Sequence, residues 1–338
     1  MSLFIFSFKQ MLALKKEYRK FWLGTITFSL CTALLLFLLE WTLAFFVSHS
    51  NNAQTGKVNL IMNRAVDPEL MIMGSSVAEV GIDPLLIEKE MQLTAYNLAI
   101  DGTALPRSEY LLDNFLDYSQ NCQTILIGMA FFSLEELQEM HAPERFIAHK
   151  SNRYIKDNVK RLSPDLYAKL YRVPFYTFIA ANHTYYKNAG IGLNNWYKSI
   201  GLYDEVHQGY VPRFISYEDT RATGNQMRLT ISEKTIAMYR RIIQKIKNKN
   251  IDPVLVLTPM HVNGQSNFSN FTELRRALYD LSYEMNVKFF DFSEHPITQD
   301  TSFYYNNGHL NNTGAQLFTK AICDSLKSKP LTTNLRKR

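Results

Sequence analysis

The chain has 338 residues, a hydrophobic share of 46% and a formal net charge of +6, which suits one large globular domain with an appendage and excludes a disordered chain. The charge sits at the ends, in Lys9, Lys15, Lys16, Arg19 and Lys20 before one apolar run and in Arg336, Lys337 and Arg338 at the far terminus. What lies between is close to neutral, which argues against a basic groove and against nucleic acid as a partner.

Residues 1–20 read as a cytoplasmic segment, with Phe4, Ile5, Phe6, Phe8, Met11 and Leu12 placed to lie along the inner face of a membrane. Residues 21–47 form the one run of membrane length. Trp22 and Trp41 stand roughly 28 Å apart on a helix, which matches a bilayer core with an aromatic at each interface. Glu40 falls at that boundary beside Trp41. The basic cluster precedes the span, so the expected topology is a single pass through the inner or plasma membrane, with the N-terminus cytoplasmic and the rest extracytoplasmic. A cleaved signal peptide is the rival reading, although the span is long for one and residues 48–53 offer no small-x-small site.

Residues 48–65 read as a stalk, with residues 58–62 a brief strand or cover leading into the domain. Leu70 to Met73 is short and wholly apolar, as in a strand buried on both faces, and it ends in Gly74-Ser75-Ser76. A helix follows over 84–91 with proline in its first turn, then a strand over 94–100, a loop at Asp101-Gly102-Thr103, a helix over 106–118 and a strand over 123–130. Residues 131–231 break the rhythm. They are rich in tyrosine and phenylalanine and too long for a loop, so they read as an insertion, either a packed subdomain or a lid whose aromatics meet sugar rings or an acyl chain. The rhythm resumes with Ser232 as a cap ahead of a helix over 235–247, a strand over 253–260, a helix over 271–285 and a strand over 287–292. The His309 loop and a helix over 315–326 close the domain, and residues 327–338 form a basic tail.

Strand–helix alternation of this kind predicts an α/β fold, a three-layer α/β/α sandwich around a five-stranded, mainly parallel sheet with right-handed crossovers. In such sheets chemistry collects at the carboxyl edge of the strands, which is where Ser75 and Ser76 fall. Of the three cysteines, Cys31 lies in the span; Cys122 and Cys323 form either a disulfide or two separate structural thiols.

Gly74-Ser75-Ser76 near the start and His309-Leu310-Asn311 with Gly314-Ala315 near the end, together with Ile82-Asp83-Pro84 and Tyr96-Asn97-Leu98 with Gly102, resemble the SGNH (GDSL-like) hydrolase superfamily. The resemblance covers residues 66–130 and 232–326 and is to its G-S-S branch, which includes the D-alanyl transfer protein of teichoic acid modification and the alginate O-acetyltransferases. It implies an SGNH or flavodoxin-like sheet, Ser76 as nucleophile, His309 as base, and the backbone N–H groups of Ser76 and Gly102 as oxyanion donors. The resembled family orients its histidine with an Asp three residues earlier, and here that residue is Asn306. An amide oxygen still accepts from the ring N–H but lacks the charge that stabilises an imidazolium. Asp291 or Asp300 is the alternative acid, or a backbone carbonyl completes a dyad. Ser75, Asn97 and His261 are candidates to line the site. Nothing calls for a metal or cofactor.

The expected function is acyl-ester chemistry on a cell-envelope polysaccharide, as an O-acyltransferase or an esterase. The expected partners are an acylated or acyl-accepting glycan, the lipid bilayer and a membrane-bound O-acyltransferase. The alternative is a non-catalytic partner that binds glycan or an acyltransferase, a reading the Asn306 substitution favours.

Overall fold

The computed structural model describes residues 8–136, 139–204, 206–220 and 226–328. The segment before residue 8 and the basic tail beyond 328 lie outside the described residues. The elements in chain order are α1 (Phe8–Val47), α2 (Ala53–Met62), β1 (Leu70–Gly74), α3 (Ser76–Gly81), α4 (Pro84–Met91), β2 (Ala95–Asn97), α5 (Glu109–Tyr118) and β3 (Thr124–Met129). The insertion carries α6 (Arg153–Leu162), α7 (Pro164–Arg172), α8 (Tyr176–Ala180) and α9 (His183–Lys198). The second half supplies α10 (Glu233–Lys247), β4 (Asp252–Leu257), α11 (Val262–Gln265), α12 (Phe271–Met285), β5 (Lys288–Asp291), β6 (Tyr304–Asn306), β7 (His309–Leu310) and α13 (Asn312–Ser328).

Five strands pair in the order β2-β1-β3-β4-β5, all parallel. Because side chains alternate along each strand, the apolar runs feed two cores. Met71, Met73, Ile125, Ile127 and Leu255 belong to one, with α2, α5, α10 and α12, and Leu70, Ile72, Leu126, Val254 and Val256 to the other, with α4 and α13. Strand order reverses between β1 and β3, and the crevice outside their carboxyl ends at such a reversal is where open α/β sheets bind ligands. Cys122 and Cys323 are free thiols in the two different cores, so no disulfide joins them.

One expectation changes. Residues 53–62 are neither stalk nor strand but helix α2, with Val58, Leu60 and Ile61 wholly buried. Its polar members hid it: Lys57 bonds the Glu79 carboxylate at 2.9 Å and the Ala99 carbonyl at 2.7 Å, while Asn59 donates to the carbonyls of Val47 and Ser50. Phe146, Ile155, Val159 and Tyr185 merge with the core of the main domain, α6 packs on α5, and α9 packs along the end of α1, where Trp196 meets Phe45 and Phe46. Finally, the boundary carboxylate Glu40 is held by Lys150 of the insertion. Lys15–Val47 of α1 is long and apolar enough to cross a membrane, and its Phe21, Trp22, Leu35 and Trp41 side chains are exposed.

Candidate active site

The site begins with the end of β1. Gly74, with φ +151°, is the register partner of Gly128, and the Cβ of Ala78 fills the space both leave: a β-carbon on Gly128 would stand 2.5 Å from it. This close approach sets α3 directly on the sheet. The Ser75 carbonyl accepts from the N–H groups of Ala78 and Glu79 and starts the helix, and Ser76 is its first residue. At that first position an N–H has no intrahelical partner. Ser75 is buried and its hydroxyl makes no hydrogen bond. It lies under the site and does not line it.

The opposite side is the β6–β7 hairpin, in which Asn306 and His309 are register partners. Nε2 of His309 lies 2.9 Å from Oγ of Ser76, and Nδ1 lies 3.0 Å from Oδ1 of Asn306. The same oxygen accepts the Gly308 N–H at 2.9 Å. An amide oxygen that receives one N–H is the acceptor end of its side chain, so Nδ1 of His309 carries a hydrogen and Nε2 presents its lone pair to the serine. The Tyr305 ring stacks on the imidazole at 5.4 Å between centroids. Burial is the main influence on His309 and lowers its proton affinity; Arg213 acts the same way, while Asp101 and Glu79 oppose it.

The other anticipated residues divide. Beyond β2 the chain continues beside β1, with Leu98 N–H on the Ile72 carbonyl and Ile100 N–H on the Gly74 carbonyl, which delivers Asp101 and Gly102 to the edge beside Ser76. Gly102 has φ +73°, and Nε2 of His141 lies 2.9 Å from where its β-carbon would be. Asn97 does not line the site: its buried amide donates to the carbonyls of Ala78 and Ile82 and accepts from Ala99 N–H, which fixes α3 in place. His261 is buried behind the hairpin; its ring meets Tyr217 and Tyr304, its N–H bonds the Asn307 carbonyl, and Nδ1 caps α11. Neither alternative acid reaches His309. Asp291 pairs with Arg275 at 2.8 Å and caps Ser293 N–H; Asp300 accepts from Ser302 N–H.

No protein-family model matches this chain, and no curated protein does. Its fold is similar to several solved structures at low identity. One is described as a platelet activating factor from Streptococcus pneumonia (14% identity, 87% of this chain and 99% of that one, TM-score 0.42). Another is described as a lipolytic protein of the G-D-S-L family from Desulfitobacterium hafniense (10%, 76% and 98%, TM-score 0.36). A third is a family two carbohydrate esterase from Clostridium thermocellum, solved with cellohexaose (10%, 78% and 65%, TM-score 0.38).

Sequence reasoning missed the segment that returns from the insertion. Residues 207–219 cross the site: the Gln208 carbonyl accepts from Asn97 N–H, Val211 N–H donates to the Glu79 carbonyl, the Arg213 carbonyl accepts from Asn312 N–H, and Glu218 N–H donates to the Tyr305 carbonyl. It has no periodicity to find, because its backbone is held by four separate elements and not by a ladder of its own. The buried Lys57–Glu79 pair beneath α3 was missed for the same reason that hid α2.

Proposed function

We propose that this chain is a membrane-anchored, extracytoplasmic SGNH-like acyl-ester enzyme acting on a cell-envelope polysaccharide through Ser76 and His309. The observation that carries the reading is the 2.9 Å contact between Ser76 Oγ and His309 Nε2, with the tautomer fixed by Asn306. His309 takes the hydroxyl proton as Ser76 attacks the ester carbon, and the oxyanion forms at the N–H groups of Ser76 and Gly102. The alkoxide leaves with the proton from His309. The acyl-serine then passes its acyl group to water or to a glycan hydroxyl, with His309 again serving as base. Helix α1 is the anchor, and a membrane-bound O-acyltransferase is the partner that fits an enzyme handling acyl groups at the membrane face.

Hydrolysis of p-nitrophenyl acetate by the full chain tests this reading, with Ser76→Ala expected to lose it. A reporter fused after Arg338 is expected to behave as extracytoplasmic. Asn306 also favours a second reading, because a neutral orienting group does not stabilise an imidazolium: a non-catalytic glycan- or acyltransferase-binding partner. That reading predicts no Ser76-dependent turnover and binding that survives Ser76→Ala.

A further inference from the structure

The segment over the site carries one cation whose placement the Ser–His chemistry does not require. Arg213 is fixed through its carbonyl to the N–H of Asn312, three residues past His309. Its guanidinium carbon lies 6.0 Å from the centre of the Tyr305 ring, the ring that stacks on His309. Nε of Arg213 is buried and makes no hydrogen bond, and among the described residues no carboxylate pairs with its side chain. Elsewhere Arg161 and Arg241 share Glu109, Arg228 meets Glu273, and Arg275 meets Asp291 and Glu294.

Such a cation works against the neighbouring base. When Ser76 gives up its proton the imidazole becomes positive, and a nearby guanidinium opposes that charge. Asp101 and Glu79 also face His309 and act in its favour, but Glu79 is already paired with Lys57 at 2.9 Å, and Asp101 is exposed to water. Both the unsatisfied Nε–H and the repulsion are relieved when an anion sits on Arg213, and its planar fork suits a carboxylate or a phosphate. The adjoining Phe214 and Ile215 are exposed, 81% and 55%.

Building on the acyl-ester reading, we propose that Arg213 is an anion subsite of the Ser76–His309 centre and that the ester substrate carries a carboxylate or phosphate near the acylated oxygen. The subsite selects among esters. It also ties the strength of the base to correct docking, because the bound anion cancels the charge that weakens His309.

The test uses the full chain in detergent and three acetyl esters on one sugar frame: acetylated methyl glucoside, acetylated methyl glucuronide and acetylated glucose 6-phosphate. Wild type is expected to favour one or both anionic esters by tenfold or more in kcat/KM, and whichever is favoured identifies carboxylate or phosphate. Arg213→Gln is expected to erase that preference mainly through KM and Arg213→Lys to restore part of it. The acid limb on the neutral ester is expected to move to higher pH in Arg213→Gln. Equal turnover of all three esters by wild type, or an equal loss on all three in Arg213→Gln, overturns the subsite and leaves the esterase reading standing. No Ser76-dependent turnover of any ester overturns that reading and the subsite with it. Should Arg213→Gln fail to fold, wild type still decides: stronger inhibition by methyl glucuronide or inorganic phosphate than by methyl glucoside supports the subsite, and equal inhibition overturns it.

Discussion

The side-chain oxygen of Asn306 lies 3.0 Å from Nδ1 of His309 while also accepting the N–H of Gly308. The hairpin thus reproduces the orienting half of a catalytic triad with an uncharged group. Orientation and charge stabilisation, which a carboxylate supplies together, are separated here.

Asn306→Asp restores the charge without moving an acceptor, since both N–H donors already point at that oxygen. Turnover is expected to rise on the order of tenfold, well short of the ~10⁴-fold that a triad aspartate is worth in serine proteases, because nothing else in the hairpin is arranged around a carboxylate. Asn306→Ala is expected to lower kcat about a hundredfold by freeing the ring. Steady-state kinetics on p-nitrophenyl acetate measure both; an inactive Asn306→Asp enzyme would show that the position demands the amide.

Ser75 and Ser76 are adjacent but differ in access. Ser76 faces His309, whereas Ser75 is 1% exposed with its hydroxyl unpartnered. A fluorophosphonate probe is expected to label wild type and Ser75→Ala and to leave Ser76→Ala unlabelled. Equal labelling of wild type and Ser76→Ala would move the nucleophile elsewhere.

Burial, opposed by Asp101 and Glu79 and aided by Arg213, keeps His309 neutral to a pH below its ordinary value of about 6.5. Only the neutral ring accepts the Ser76 proton, so activity is present above the folded-state value and is lost as pH falls through it. The midpoint of the acid limb of kcat/KM is expected below 6.5. In Asn306→Asp the added negative charge favours the imidazolium, so the limb is expected to move upward.

Lys57 and Glu79 form a buried pair joining α2 to α3, at 5% and 3% side-chain exposure. Burial lowers the proton affinity of Lys57, and Glu79 opposes that shift. Lys57→Ala leaves a carboxylate in the core and is expected to cost about 3–5 kcal/mol in denaturant unfolding. Replacing both members with apolar residues, Lys57→Met with Glu79→Leu, is expected to recover most of that loss.

Much of this architecture was legible in the chain. The helices over 84–91 and 271–285 form at the residues expected, because proline and polar punctuation bound them and one face is apolar. Strands β1, β3 and β4 were plain as continuous apolar runs, and Ser76 and His309 meet as their positions at opposite ends of the fold imply. What could not be read depended on partners far along the chain. A lysine in a polar-looking stretch shows as core only once Glu79 and the Ala99 carbonyl are known to await it. Asp291 and Asp300 stood as alternative acids to Asn306, and only the fold shows that Arg275 and the Ser302 N–H occupy them.

The short turn between α1 and α2 has a mechanical consequence. Asn59 grips the carbonyls of Val47 and Ser50, Asn195 grips that of His49, and Glu40 is clamped to Lys150, so no swivel separates the apolar helix from the domain that carries Ser76. In the proposed orientation the hydroxyl therefore stands at one height above the lipid headgroups and cannot sweep a volume as a tethered head would. On the proposed reading, sites along a polysaccharide substrate are reached only when the polymer itself passes through that plane. The spacing of modified units along that polymer is then governed by how the strand is fed past a stationary point.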